Sequence, residues 1–160
     1  SPHMAMELMK LMTGINMVHI PYKGGGPAVV DLLGGHVMMY CENLPNLLPH
    51  AQAGRLRAVA VTTAKRIRQA PELPTVAETI PGFEMPAWFG LVAPAGTPRD
   101  IVMKLNAEIN RIMNMPDVRE KMVAGAVDVV GGPPEVFGEH VRSEVAKWAK
   151  VVKATGARAD

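Results

Sequence analysis

Apolar and polar positions alternate in short blocks along this chain, and proline and glycine punctuate the blocks. Met4, Leu8, Leu11 and Met12 recur at helical spacing until Gly14, with Ser1 as a cap and Pro2 in the first turn, which predicts an opening helix. Val18, His19 and Ile20 form a short run with β-branched residues that Pro21 and Gly24 to Gly26 end, so a strand is expected there. Pro27 then opens a helix with Ala28, Val29, Leu32 and Leu33 on one face, closed by Gly34 and Gly35. Val37 to Cys41 reads as a strand, Leu44 to Ala53 as a short helix closed by Gly54, and Leu56 to Thr62 as a strand buried on both faces. This αβαβαβ order predicts an α/β fold with a mainly parallel sheet flanked by helices. Ligand sites of such sheets lie outside the carboxyl ends of the strands, where Tyr22, Lys23, Glu42, Asn43, Thr62 and Thr63 fall.

Thr63 to Met85 carries Pro71, Pro74, Pro81 and Gly82 and reads as a connecting loop with at most a short helix around Val76 to Thr79. Trp88 to Ala93 gives a last strong strand. The pattern then turns helical: Pro98 opens a helix to about Met113, Pro116 another to about Ala124, and Pro133 a final one to about Ala154, with a short strand over Val127 to Val130. Ile101, Leu105, Ile109 and Ile112 make an apolar stripe on the first of these. The division expected is therefore an α/β part over residues 1–93 and a helical C-terminal extension over residues 94–160.

A chain of 160 residues with 48% hydrophobic and 20% charged residues has enough apolar content for a real core. The formal net charge of +2 is spread along the chain without a basic, aromatic-interleaved stripe, so neither nucleic acid nor an anionic membrane is expected as a partner. The single cysteine, Cys41, allows no internal disulfide and reads as a small buried residue at a strand end. No apolar run is long enough to span a bilayer, and the first residues lack the basic-then-apolar pattern of a signal peptide. A helix that begins at the first residue, behind Ser-Pro-His-Met, predicts that something upstream has been cut away.

The glycine loop feeding a helix start is the strongest candidate for chemistry, because backbone N–H groups and the positive end of the helix dipole converge there on a carboxylate or phosphate. It lacks the Lys-Ser/Thr ending of a phosphate loop and does not match G-x-G-x-x-G, so nucleotides are disfavoured, while a plain tight turn stays open. The five histidines have no zinc spacing, so no metal or cofactor is expected. Ser1, Ser143 and Cys41 lie in no nucleophile motif. Glu42, Glu72 and Glu78 read as solvent-facing acids, Trp88 and Phe89 as packing residues, and the twelve methionines as core gap-fillers.

Five segments in order, HIPYKGGGPAVVDLLGGHV, ENLPNLLPHAQAGRLRAVAVTTAKR, PELPTVAE, PGFEMPAWFGLVAPAGTP and IVMKLNAEI, resemble the second half of the Bug (TctC-like) receptors of tripartite tricarboxylate transporters, as does the ending GGPPEVFGEHVRSEVAKWAKVVKATG. The resemblance implies one lobe of a type II periplasmic-binding-protein fold, with residues 1–93 as the second lobe and residues 94–160 as helices that return to a first lobe not contained here. It implies a periplasmic receptor rather than an enzyme. The ligand would be a small carboxylate, such as a di- or tricarboxylic acid or an acidic amino acid, and the partners membrane transporter subunits. Carried over by position, the ligand-binding residues would be Ser1, Pro2 and His3 at the helix start, Tyr22, Lys23 and Gly24 after the first strand, and Asn43 after the second. Lys23 also reads as a solvated surface lysine, and Tyr22 as a packing residue. With one wall of the cleft missing, weak or lost solute binding is expected. The uncovered helices would then favour a homodimer.

Overall fold

The computed structural model describes residues 2–158, so Ser1 lies outside the described residues. The chain divides into two compact units, one formed by Ser1–Ala87 with Lys150–Asp160 and the other by Trp88–Ala149.

Helices form where the punctuation places them. In the first unit α1 runs Pro2–Thr13, α2 Gly25–Leu33 and α3 Leu44–Gln52. In the second, α4 runs Arg99–Met113 and α5 Pro116–Ala124, while α6, Pro134–Thr155, ends among residues grouped with the first unit. Their boundaries follow local chemistry. Gly14 turns the chain out of α1 at φ 71°, and its N–H donates to the Lys10 carbonyl at 2.8 Å. Past α2, Gly34 N–H donates to Val30 O and His36 N–H to Asp31 O, both at 2.9 Å, with Gly35 at φ 74° making the left-handed turn. The helix faces differ from the expectation in α1. Ala5 and Glu7 are its buried residues, whereas Leu11 and Met12 of the predicted apolar stripe are exposed. Glu7 is sheltered but paired, accepting from Lys10 Nζ at 2.8 Å with His3 Nε2 3.7 Å away.

The expected parallel sheet does not form: among the described residues there is no strand, only an isolated parallel bridge between Val61 and Thr75. The five apolar runs expected as strands lie as irregular chain, with Val18 86%, Met38 98%, Val59 69%, Val92 86% and Val130 88% exposed. The physical reason is that an apolar run favours extended backbone, but a strand exists only when a neighbouring segment takes up its N–H and C=O groups in register. Cys41 is accordingly at no strand end. It is half-buried, and burial raises its thiol pKa.

The core of the first unit sits largely in the stretch expected to be a mere connection. Ala70, Thr75, Phe83 and Met85 are buried there, joined by Ala5, Ala28 and Val151. Val61 N–H donates to Pro74 O, Val76 N–H to Val61 O and Met85 N–H to Thr62 O, each at 2.9 Å, so the loop is stitched back onto the segment that precedes it. A 3-10 turn over Val76–Glu78 closes it through a reciprocal cap. Glu78 N–H donates to Thr75 Oγ1 at 3.3 Å, and Thr75 N–H donates to Glu78 Oε1 at 3.0 Å. Arg66 grips the same carboxylate with two nitrogens at 2.8 and 2.7 Å. Of the methionines, Met85 fills the core as expected, but Met38 is almost wholly exposed.

In the second unit, one carboxylate gathers two indoles. Trp148 Nε1 donates to Glu144 Oε2 at 2.8 Å and Trp88 Nε1 to the same oxygen at 3.3 Å. Trp88 also meets Phe137 and His140 edge-on at 5.6 and 5.0 Å. Phe89 next to it is 77% exposed, which corrects its reading as a packed residue. A Cβ at Gly90 would stand 2.1 Å from the Phe137 ring, so only glycine fits that approach.

The Arg66 guanidinium, and after it the Thr75 N–H, hold the Glu78 carboxyl down to about 2 from its ordinary 4.5. A depressed carboxyl pKa contributes stability that is complete above pH 4.5 and is lost as pH falls through 2. Thermal melts of the parent and Glu78→Gln are therefore expected to differ most above pH 5 and to converge towards pH 2, a gap that would read as constant if the pair contributed nothing.

Candidate functional site

The beginnings of α2 and α3 meet at a single carboxylate. Gly24, at φ 106°, precedes α2 without a side chain to cap it. The next residue, Gly25, leaves open the space where a Cβ would stand 2.7 Å from Glu42 Oε2 and 3.4 Å from the Tyr40 hydroxyl. Tyr40 donates to Glu42 Oε2 at 2.6 Å. On the other oxygen, Glu42 Oε1 accepts from the Asn43 backbone N–H at 2.7 Å and from Asn43 Nδ2 at 2.9 Å. Asn43 occupies the N-cap position of α3 but makes no side-chain cap bond there. Its amide is turned to Glu42 instead of to its own helix.

The electrostatics agree with this picture. The first N–H groups of a helix have no intrahelical acceptor, and the dipole adds partial positive charge at that end. A carboxylate set against Gly25 and bonded to the residue before α3 therefore sits where anions are favoured. Burial first, and then the bond to Glu42, push the Tyr40 phenol well above its ordinary 10.0.

The other expected site residues fall as follows. Tyr22, half-buried, donates to Asp31 Oδ2 of α2 at 2.7 Å, and that bond raises its phenol pKa. Tyr22 thus braces the loop before α2 against the last turn of that helix. Lys23 is exposed beside Gly24. Pro2 and His3 open α1, with the His3 ring 3.7 Å from that of His19. Ser1 lies outside the described residues. The fold brings together Gly25, Tyr40, Glu42 and Asn43, with Gly24 adjacent, and sets Tyr22 on Asp31 and His3 against His19.

Sequence reasoning missed Tyr40 and misread Glu42. Glu42 is half-buried and holds three donors, unlike Glu72, which is exposed. Glu78 is exposed as expected, yet it is bound by Arg66 and Thr75. The signal for Glu42 was its place directly before an N-cap asparagine and a helix-opening proline. Among the described residues no group of three or more His, Cys, Asp or Glu is placed to hold a metal ion, and no helix is long and apolar enough to cross a membrane.

Solved structures define the class. The chain superposes on an R. palustris protein solved with adipate at TM-score 0.89, with 40% identity over 97% of this chain and 52% of that one. It matches the periplasmic binding protein BugD at TM-score 0.88, with 34% identity over 98% of this chain and 53% of that one. MatC of Rhodopseudomonas palustris, solved with bound malate, matches at TM-score 0.81, with 31% identity over 94% of this chain and 53% of that one. The chain thus shares the fold of about half of such a binding protein, while the strands expected of an α/β lobe stay unpaired among its described residues but for the bridge at Val61. Residues 1–157 match the family described as tripartite tricarboxylate transporter family receptor, TctC, and the chain belongs to it. It spans about half the length of two curated relatives, 46% and 48%, at 40% and 42% identity, and 91% of a third that is 30% identical.

Both tyrosines of the chain carry raised phenol pKa values. In a spectrophotometric alkaline titration neither is expected to ionise at its ordinary 10.0, and Asp31→Asn is expected to move one of the two steps back towards it while leaving the other in place. Two steps at the ordinary value would contradict the hydrogen bonds described.

Proposed function

We propose that this chain is part of a periplasmic receptor that binds a small carboxylate and delivers it to the membrane subunits of a tripartite tricarboxylate transporter, and that it has no catalytic role. The observation that carries this reading is its likeness, at 40% and 31% identity, to proteins solved with adipate and with malate. The glycine loop that opens α2 at Gly24 and Gly25 supports it, because such helix starts bind carboxylates through backbone N–H groups. In this reading Pro2, His3, Tyr22, Lys23, Gly24 and Asn43 line the ligand. Ser1 belongs to the same set by position.

The test is a titration of the ¹⁵N-labelled chain with adipate, malate and citrate, followed by NMR. Weak saturable shifts are expected at the amides of Gly24, Gly25 and Asn43, with a Kd of about a millimolar, the range of a site with few contacts. A flat response to every acid at those amides would overturn the proposal.

A second reading is self-association. On α4, Ile101, Leu105 and Ile112 are 46%, 51% and 42% exposed, the very stripe seen in the sequence. Apolar surface of this continuity is unusual on a monomer. Light scattering over a range of concentrations is expected to give a mass rising to that of a dimer, and Leu105→Lys to return it to that of a monomer. A concentration-independent monomer mass removes this reading.

A further inference from the structure

We propose that two copies of this chain pair edge to edge through residues 15–20, so that strand pairing missing within one chain forms across two. The inference rests on the self-association reading and adds to it a second surface and a different kind of contact.

The run is built like the edge of a sheet. Residues 15–20 carry no turn or bend, and Ile15, Val18 and Ile20 are 52%, 86% and 50% exposed. Among the described residues, the backbone groups of Asn16, Met17, Val18 and Ile20 enter no backbone hydrogen bond. Unbent backbone with open N–H and C=O groups and apolar side chains is a template for another strand. The run is also held in place. At its start Gly14 N–H donates to Lys10 O, and Ile15 N–H donates to Thr13 Oγ1 at 3.3 Å. Towards its end His19 lies against His3, and Tyr22 beyond it is bonded to Asp31. An edge held on both sides loses little further freedom when it pairs.

Charge and area name a second copy as the occupant. Sheet edges are commonly guarded by charged side chains, and residues 15–20, Ile-Asn-Met-Val-His-Ile, contain no Asp, Glu, Lys or Arg. A twofold axis lays the run antiparallel against its own copy, where lysines or acids would meet like charge and these apolar side chains do not. The chain exposes 11254 Å². Two separate domains of the sizes of its two units would expose about 9,400 Å² in all, which leaves about 1,900 Å² in excess. A standard interface covers about 800 Å² on each partner, and an obligate homodimer about 1,000–2,500 Å². The excess is that of an obligate homodimer rather than of a single face such as the α4 stripe, and the open run supplies the further surface.

The test is light scattering of the chain across a range of concentrations, with amide hydrogen exchange followed by NMR at both ends of the range. At high concentration a dimer mass is expected, with exchange at every second amide of residues 16–20 slowed about a hundredfold relative to the dilute chain. Val18→Lys brings two like charges together across the axis, and is expected to weaken the dimer about tenfold and abolish that protection. Val18→Thr, neutral and β-branched, is expected to keep both. Exchange within α1 and α2 reports whether each variant is folded. A dimer whose residues 16–20 exchange as fast as in the dilute chain, and which Leu105→Lys but not Val18→Lys dissolves, overturns the edge pairing and leaves the self-association reading standing. A monomer at every concentration overturns both and leaves the run to a different chain.

Discussion

The contact between Val61 and Thr75 is the constraint on which the first unit depends. It is the one place among the described residues where two extended segments pair, and the buried residues gather beside it. Pairing at Val61 fixes Pro74 and Val76, the cap at Thr75 fixes Glu78, and Arg66 locks Glu78 from the preceding segment. Phe83 and Met85 then have a defined place to bury. Without the bridge the stretch would be what its prolines suggest, a loose connection. The Arg66 to Glu78 pair is exposed, so its Coulomb attraction is screened and its value lies in geometry, two parallel bonds on a carboxylate already held by Thr75.

The helices were legible in the sequence because their signals are local. Pro116 opens α5, a glycine follows Ala124, and the helix runs between them. Gly35 ends α2 for the same kind of reason, a left-handed turn that only a few residues accept. The strands were not legible in this way. Leu56 to Thr62 carries an apolar run, yet only Val61 finds a parallel partner, because pairing is decided by residues far away in the sequence. Propensity sets the backbone's preference and leaves its partner open.

The candidate site divides along the same line. Gly24 and Asn43 could be picked out because a glycine loop before a helix and an asparagine at a helix start have local meanings. Tyr40 and Glu42 could not, since an acid in a polar stretch looks like any solvated acid until the fold sets it against Gly25. Asn43 was picked for its capacity to donate to a carboxylate. It does donate to one, but the carboxylate is the protein's own.

That last point bears on how a receptor family diversifies. Helix starts with open backbone N–H groups accept any carboxylate of suitable size, so they give a common affinity and little discrimination. Discrimination has to come from a side chain that faces the part of the ligand that varies. Glu42 is the fixed side chain nearest these two helix starts. It is held by neighbours on both oxygens, and a glycine keeps its space clear. A different residue at this position would leave the local signals that start α2 and α3 in place while freeing Tyr40 and both Asn43 donors from their shared acceptor, so the helix starts and the group set between them rest on separable parts of the same short stretch of chain.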